Sequence, residues 1–556
     1  MNKLDDLNIK RNIMKTTVTL IITLLVATLH AADLRLGSPF SDHMVLQREK
    51  PVAVWGWADP SESVTVAFDG QTKTATAGAD GKWSLKLDAL KASAESRTLI
   101  ATGKEGRKVE VKDVLVGEVW FGCGQSNMQT PVTGHSAGDR HLAANAEQSY
   151  PLLRLLMAND SWQEATPDTI KEFSALLFSF GLPLNKQLRV PVGLMFRAKD
   201  GSPSGPWLSE QMYRADAACV AVAKKFAETY DYPKGKAAYD QAKILYDEEF
   251  AKWKPLADAA KREGKQPLRP PTAPTSVVPA GECFGPRPIG SLFEAFIRPY
   301  VGYTIRGVLW DQGEGGTRIT GVDQFTLMGA LIQGWRKEWG QGDFPFLYIQ
   351  KPSGGGPAWD DTNPVNENAN KFSELPKTVP PAIEAEYNYA IHLKIMKYPN
   401  TIMVTSTDLA GGIHPVNKSG YGARGAMVAM NAVYGGKGEY YGPIYASHEI
   451  KNGKIVIKFK HTGQGLTFKS GDPSTGSRQA GLQGFAIAGE DHQFVWADAV
   501  IEGDNVFVSS RTVAKPTAVR YAWASSFPWA NLFNKDGLPA QPFRTDDWPV
   551  VTAGKK

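Results

Sequence analysis

The chain has 556 residues, of which 42% are hydrophobic and 21% charged, a composition typical of globular proteins. This length is too great for one hydrophobic core and predicts roughly three or four domains. The net charge is only +5 and no block of lysine and arginine stands out. Nucleic acid is therefore not expected as a partner.

The first residues have the pattern of an export signal. Lys10, Arg11 and Lys15 precede an apolar run from Val18 to Leu29, which small residues follow. A basic start, a short apolar run and small residues predict a signal peptide over residues 1–31. The run is too short to span a bilayer comfortably, and no second one follows. We therefore predict a periplasmic or secreted protein with no integral membrane segment in the mature chain.

Residues 33–113 are predicted to form an N-terminal β-domain. Apolar and polar residues alternate over 52–57, 63–68 and 83–87, with turns such as Asp69-Gly70 between them. Short strands at this spacing predict a small β-sandwich. The same alternation returns over residues 440–550, where we predict a second β-domain. Trp523 and Trp529 leave a sugar-binding role open there, although structural support is favoured.

Between these regions, over residues 114–435, strand-like runs alternate with helical ones. Such alternation predicts a mostly parallel sheet covered by helices. The predicted strands are Leu152–Leu156, Val190–Phe196, Thr304–Trp310, Phe344–Gln350 and Thr401–Thr405, and the predicted helices are Gln211–Tyr230 and Gln324–Trp339. Residues 234–275 are rich in Ala, Lys and Glu before a proline-rich end, and predict an exposed helical insertion.

One segment, Val116–Met128 (VGEVWFGCGQSNM), has the pattern of a buried strand that ends in a tight turn. A serine just past the end of a strand can project to where a base can reach it, which a nucleophile requires. Ser126 has this position. A Gly-x-Ser turn is more often only a turn, so the interpretation depends on a partner histidine and on oxyanion donors elsewhere.

Three later segments also follow predicted strands, where open α/β sheets bind their ligands. They are Asp200-Gly201-Ser202, Gln312-Gly313-Glu314 and the segment from Asp408 to Pro415. Glycine lets a backbone N–H approach a reacting oxygen closely. His414 lies late in the chain after a strand, a position that suits a general base. The three cysteines have no close metal-binding spacing.

Taken together, these segments resemble the sequence blocks of the sialate O-acetylesterases. The resemblance rests on Gly124–Met128, on Trp310 with Gln312-Gly313-Glu314, and on Ile413-His414-Pro415 with Lys418. It extends to both ends of the mature chain, for example to Met44–Arg48. It implies a flavodoxin-like αβα core of the SGNH hydrolase type, flanked by N-terminal and C-terminal β-sandwich-like domains.

The resemblance also implies roles for these residues. Ser126 would attack the acetyl ester of a sugar or glycan, and His414 would accept and return its proton. The oxyanion would be bound by the N–H groups of Ser126 and Gly201 and by the side-chain amide of Gln312. Glu314 and Asn127 would support the loops, and neither a metal nor an organic cofactor would be needed. We therefore expect Ser126 and His414 to lie within hydrogen-bonding distance.

Two departures from the family pattern leave alternatives open. Relatives commonly have an aspartate where this chain has Gly412, so Asp408 would have to orient His414, or the enzyme would use a Ser-His dyad. Asp200 and Gly315-Gly316 also replace usual residues of the active-site loops. An exported carbohydrate esterase is the leading hypothesis. The alternatives are a catalytically impaired relative that binds glycans and a structural β-rich surface protein.

Overall fold

The computed structural model describes residues 33–381, 385, 389–470 and 481–548. The predicted signal peptide lies outside these residues. Among the helices described, none combines the length and apolar character that crossing a bilayer requires.

The strands lie in three groups along the chain, early, central and late. They are β1 Arg35–Leu36, β2 Val45–Gln47, β3 Val52–Trp57, β4 Ser63–Phe68, β5 Gln71–Thr76, β6 Lys82–Leu87, β7 Ser93–Thr102, β8 Lys108–Gly124, β9 Tyr150–Leu156, β10 Trp162–Ala165, β11 Val192–Ala198, β12 Gly307–Asp311, β13 Phe346–Ile349, β14 Thr401–Val404, β15 Ile444–Lys451, β16 Lys454–Lys460, β17 Leu466–Phe468, β18 Phe485–Ala488, β19 Val495–Trp496, β20 Asp498–Glu502, β21 Asn505–Ser509, β22 Ala518–Tyr521, β23 Leu532–Asn534 and β24 Phe543–Arg544.

The α-helices of the described residues all lie in the central part of the chain. They are α1 Ser126–Gln129, α2 Arg140–Ala146, α3 Pro167–Glu172, α4 Ala175–Leu188, α5 Glu210–Ala215, α6 Ala217–Ala227, α7 Tyr232–Arg262, α8 Gln324–Trp339, α9 Ile391–Ile395 and α10 Lys418–Ala432. The predicted helix over 211–230 is two helices, because Asp216 ends α5 and caps α6 by accepting a hydrogen bond from the Cys219 N–H. The predicted insertion contains α7, whose side chains are mostly exposed.

Strand β8 joins the N-terminal region to the central sheet. Its first half pairs with β7 and β2, and its second half lies between β11 and β12, parallel to both. The predicted boundary between residues 113 and 114 therefore falls inside one continuous strand of 17 residues. The nucleophile candidate follows this strand directly, so its position depends on both regions.

The central sheet has six parallel strands in the order β9-β11-β8-β12-β13-β14, with β10 antiparallel at one edge. If β9 is set aside and the other parallel strands are numbered along the chain from β8, their order across the sheet is 2-1-3-4-5. This is one of the strand orders of doubly wound sheets. The chain reverses direction across the sheet at β8, and ligands bind at such a switch point. The protein is thus a mixed α/β structure.

Helices cover both faces of this sheet. Trp120 packs edge-on against Phe180 of α4 on one face, with ring centroids 5.1 Å apart. The next residue, Phe121, packs against Trp335 and Trp339 of α8 on the other face. Because successive side chains of a strand point to opposite faces, aromatic residues in sequence at 120 and 121 anchor both helical layers.

A buried ion cluster fixes the entry of β8 into the sheet. Glu118 is fully buried and accepts hydrogen bonds from Gln47 at 3.1 Å and Arg306 at 2.6 Å, with Arg48 also in contact. Burial alone would raise the pKa of Glu118, but the two guanidinium groups outweigh burial and lower it. The Met44–Arg48 motif therefore connects the N-terminal region to the central sheet.

The C-terminal region contains small antiparallel sheets, including β15-β16-β21-β20 and β19-β18-β22-β24. Trp523 and Trp529 are 6% and 5% exposed and belong to its hydrophobic core. They therefore present little ring face to a sugar. The region contacts the central sheet where Gln541 accepts a hydrogen bond from Gln350 at 2.6 Å.

Candidate active site

The turn after β8 presents Ser126 at the carboxyl end of the sheet. Gly124 has a φ of 142°, and a Cβ added to it would lie 2.0 Å from the carbonyl oxygen of Asp311. The next residue, Gln125, donates its N–H to that same carbonyl at 3.0 Å. Only glycine fits this close approach. The chain then begins α1 at Ser126, whose side chain is buried except for a small opening to solvent.

His414 lies beside this serine. It belongs to the loop between β14 and α10, and its Nε2 is 2.9 Å from the Ser126 Oγ. The two residues are 288 positions apart in sequence, and the sheet brings their loops together. The expectation that they lie within hydrogen-bonding distance is confirmed. This distance suits proton transfer from the hydroxyl to the imidazole.

The candidate acid, Asp408, is not available to His414. Its two carboxylate oxygens accept hydrogen bonds from the two terminal nitrogens of Arg424, at 3.0 and 2.7 Å. Both side chains are buried, and Arg424 belongs to α10. The structure corrects the suggestion that Asp408 orients the histidine. Among the described residues, Ser126 is the one hydrogen-bond partner found for the His414 imidazole.

We expect Asp408→Asn to affect stability more than catalysis. Removing one charge of a buried pair leaves the other uncompensated and costs about 3 kcal/mol of unfolding free energy. The melting temperature should fall, while kcat for acetate release by the folded variant stays within about threefold of wild type, since Asp408 does not contact His414. Arg424→Gln is the matched variant and should destabilise similarly. A loss of about 10⁴ in kcat from folded protein would instead identify Asp408 as the orienting acid.

The loop of His414 is held by its backbone on both sides of the histidine. Asn127 donates its side-chain N–H to the carbonyl of Ile413 at 3.0 Å, and Lys418 donates from Nζ to the carbonyl of Pro415. Lys418 also donates to the Asn127 Oδ1 at 2.9 Å. Asn127, the residue after Ser126, is thus connected to the loop of His414, which fixes the spacing between Ser126 and His414.

Lys418 occupies an unusual environment for a lysine. It is the first residue of α10, whose start is held by Asn417 and by Asp139, which accepts the Ser419 N–H at 2.7 Å. Burial lowers the pKa of Lys418 to about 7, although the nearby Asp311 carboxylate opposes the shift. A perturbed titratable group in this position is typical of a functional site.

A second buried group supports the loop after β12. Lys351 lies 2.7 Å from a carboxylate oxygen of Asp311 and 2.8 Å from one of Glu314. Glu314 also accepts hydrogen bonds from Gln125 and from Asn127. Burial alone would raise the pKa of Glu314, but the Lys351 charge outweighs burial and lowers it. At Asp311 burial outweighs the Lys351 charge, and the pKa is raised. Glu314 and Asn127 therefore contact the loops that they were predicted to support.

The predicted oxyanion donors are placed differently from one another. The loop that contains Gly201 lies beside the turn at Ser126, because Lys199 donates its N–H to the Gly124 carbonyl at 3.0 Å. The side-chain N–H groups of Gln312, by contrast, point to the carbonyls of Ser202 at 3.5 Å and Gly316 at 3.3 Å. The structure therefore does not present this amide to Ser126, which corrects the prediction for Gln312.

The departures from the family pattern lie at the rim of the site. Gly412 is exposed with a φ of 99°, and a Cβ added there would meet no atom within 4 Å. The N–H of Asp200 donates to the Gln129 side chain, and the carbonyl of Gly316 accepts the Ser204 N–H at 2.9 Å. The substituted residues are thus accommodated without a clash.

Sequence reasoning missed three buried residues around the site. Lys351 carries a charge two residues after the end of the buried strand β13, a signal that could have identified it. Lys418 belongs to a sequence motif, but the motif assigns it no role. His135 is the third: burial, with the positive charge of Lys418, lowers its pKa to about 4, and its Nε2 is buried without a hydrogen-bond partner among the described residues. No local pattern marked His135.

Two other groups of reactive side chains lie away from Ser126. His43, Asp113 and Glu164 bring ligand-type atoms together, but the Arg154 guanidinium lies among them, 2.8 Å from Asp113 and 2.9 Å from Glu164. An existing cation thus balances these carboxylates. The three cysteines are free thiols, and burial raises the pKa of Cys123 well above its usual range, which disfavours the reactive thiolate.

Comparison with known proteins gives a consistent set of relatives. No protein-family model matches the chain. The sialate O-acetylesterase of Rattus norvegicus is 26% identical over 92% of this chain and 94% of its own length, and that of Homo sapiens is 26% identical over 92% of each. A crystal structure of a carbohydrate acetylesterase from Xanthomonas citri has a TM-score of 0.67 and 28% identity, covering 93% of this chain and all of that one.

These similarities extend over nearly the whole length of both partners in each comparison. The predicted resemblance to the sialate O-acetylesterases is confirmed, and so is the assignment of the chain to the carboxylic ester hydrolases.

Proposed function

We propose that this chain is an exported serine esterase that removes O-acetyl groups from carbohydrates through an acetyl-enzyme. The relatives support O-deacetylation of carbohydrates. The observation that carries the mechanism is the 2.9 Å contact between the Ser126 Oγ and the His414 Nε2 at the carboxyl end of the parallel sheet. The signal-like start of the chain supports export to the periplasm or beyond.

The reaction proceeds in two halves. The Ser126 Oγ attacks the acetyl carbonyl carbon as its proton passes to the His414 Nε2. The tetrahedral intermediate breaks its bond to the sugar oxygen, and His414 returns the proton to that oxygen, which leaves as a hydroxyl. A water then attacks the acetyl-serine while His414 accepts its proton. Collapse releases acetate and restores the serine hydroxyl.

The negative charge of the intermediate is stabilised by backbone N–H groups. Those of Ser126, at the start of α1, and of Gly201 have no acceptor among the described residues, which leaves them available to the oxyanion. Each such donor contributes on the order of 3 kcal/mol to lowering the barrier. The chain then operates with a Ser-His dyad. Asn127 and Lys418 position His414 by hydrogen bonds to the backbone of its loop.

The same proposal includes an SGNH-type core with flanking β-domains. The strand order 2-1-3-4-5, with helices on both faces, supports a flavodoxin-like core. The antiparallel sheets before and after it support the N-terminal and C-terminal β-domains.

The test is to trap the intermediate. Wild-type protein is mixed with a chromogenic acetate ester, quenched in acid within the first turnovers and digested. We expect the mass of one acetyl group on the peptide that contains Ser126. Turnover with the acetyl group on another residue, or hydrolysis of the ester by Ser126→Ala protein at the wild-type rate, would overturn the covalent mechanism at Ser126.

A glycan-binding relative with weak or no activity is the second candidate. The observation favouring it is that no carboxylate among the described residues hydrogen-bonds to His414. In serine proteases, the loss of that acid lowers kcat by about 10⁴. Folded wild-type protein that binds an acetylated glycan but releases no acetate would establish this candidate instead.

A further inference from the structure

A polar cleft of about 640 Å³ opens beside the loop of His414. Its volume lies in the range that small-molecule sites occupy. The side chains and glycines that define it are Glu314, Ser353, Asn368, Asn370, Gly412 and Ser526.

The cleft lies on one side of the nucleophile. Its walls come from the loops after β12, β13 and β14 and from the C-terminal region, where Ser526 and Phe527 bond to the Gly355 carbonyl. Gly201 follows β11, on the other side of β8. An ester whose carbonyl oxygen lies toward Gly201 therefore directs its alcohol portion, the sugar, into this cleft.

The charge of the cleft distinguishes between kinds of sugar. Glu314 is the one charged side chain in its wall among the described residues, and it is an anion. The buried cation that contacts Glu314, Lys351, is already paired with Asp311 and Glu314. Asparagine, serine and backbone groups supply the other polar atoms, and these form hydrogen bonds with neutral hydroxyls. A sugar carboxylate would meet the Glu314 charge and find no free cation in this wall.

We propose that this cleft is the sugar subsite and that it selects O-acetylated neutral sugars over sugar acids such as sialate. This inference depends on the esterase function proposed above and adds the substrate class. It separates this chain from relatives named for sialate.

One cation near the site lies on the opposite side. Arg287 donates a hydrogen bond to the Gly201 carbonyl at 3.4 Å, on the side where the acetyl group would lie. It is available to an anionic substrate only if that substrate binds in the reverse orientation. Binding of the substrate carboxylate at Arg287 is therefore the alternative that the experiment has to distinguish.

The test compares two substrates that differ only in charge. They are 9-O-acetyl-N-acetylneuraminic acid methyl glycoside and its C1 carboxamide, with an O-acetylated methyl xyloside as a neutral reference. We expect kcat/KM for acetate release to be higher for the carboxamide by on the order of tenfold at low salt, the size expected for one repulsive charge a few Å away. The two neutral compounds should both exceed the free acid.

A pair of variants tests whether the cleft is responsible. Asn370→Arg places a cation in the wall and should reverse or abolish the preference, whereas Asn370→Gln keeps it. Position 370 is suitable because its side chain is exposed, while Asn368 has a φ of 66° that disfavours a larger residue. Neither position belongs to the catalytic machinery.

Equal rates for acid and carboxamide, or a preference for the acid, would overturn the inference. If the acid is preferred and Arg287→Gln removes that preference, the carboxylate binds on the acetyl side. An unchanged preference in Asn370→Arg would show that this cleft is not the subsite. Ser126-dependent hydrolysis of a chromogenic acetate in the same preparation separates these results from a failure of the esterase function itself.

Discussion

Replacing Ser126 by alanine should lower kcat for acetate release by at least about 10⁴-fold, because it removes the hydroxyl on which the proposed acetyl-enzyme forms. Removing a catalytic serine from a triad enzyme costs about 10⁶ in kcat, and the smaller figure allows for a dyad without an orienting acid. The Ser126 hydroxyl has one side-chain partner in the described structure, His414, so the variant should fold normally. The assay is acetate release from a chromogenic ester.

Ser136→Ala is a suitable control, since it removes a nearby serine hydroxyl that is not a hydrogen-bond partner of His414 in the described structure. It should retain wild-type activity. Equal activity in Ser126→Ala and wild type would show that Ser126 only forms a turn. No activity in either protein, with both folded, would favour the glycan-binding alternative.

Lys418→Met should lower kcat on the order of 100-fold while KM stays within about threefold, since a displacement of about 1 Å in a catalytic group can cost that much. Methionine approximates the length of lysine and suits a buried position, so packing is largely kept. What is lost is the pair of hydrogen bonds from Nζ to the Pro415 carbonyl and to Asn127. The His414 loop then loses one of its two attachments.

The measurement is steady-state kinetics together with thermal melting. Lys437→Met, an exposed lysine beyond the same helix, is the control and should leave both unchanged. A purely structural role predicts a lower melting temperature with normal kcat per folded molecule. An unchanged kcat, or a rise in KM with kcat intact, would contradict the positioning role.

Some elements are specified by local signals and were predicted well. The predicted helix over Gln324–Trp339 has the observed bounds, because Asp323 accepts a hydrogen bond from the Thr326 N–H at its start and Gly340 takes a left-handed conformation at its end. Both residues act within one turn of the helix, so their effect is readable in sequence. The alternating strands of the C-terminal region were also predicted, because period-two alternation is likewise a local pattern of a few residues.

The residues of the candidate site could be predicted only in part from the sequence. The turn residues around Ser126 and the loop position of His414 identified both residues, and the tertiary structure placed them in contact. The partners of Asp408 and Gln312 were not readable, because each side chain had several polar groups within possible reach. Arg424 binds Asp408 because α10 packs back against the end of β14, which no spacing in sequence reveals.

The sequence by itself determined the alternation of strands and helices, the turn at Ser126 and the family resemblance, since these depend on residues close together in the chain or on motifs in fixed order. The tertiary structure alone decided that β8 crosses from one sheet region to the next, that Lys418 and Asn127 hold the His414 loop, and that the cleft wall carries an anion. These features depend on contacts between residues up to hundreds of positions apart, whose geometry only the packed chain defines.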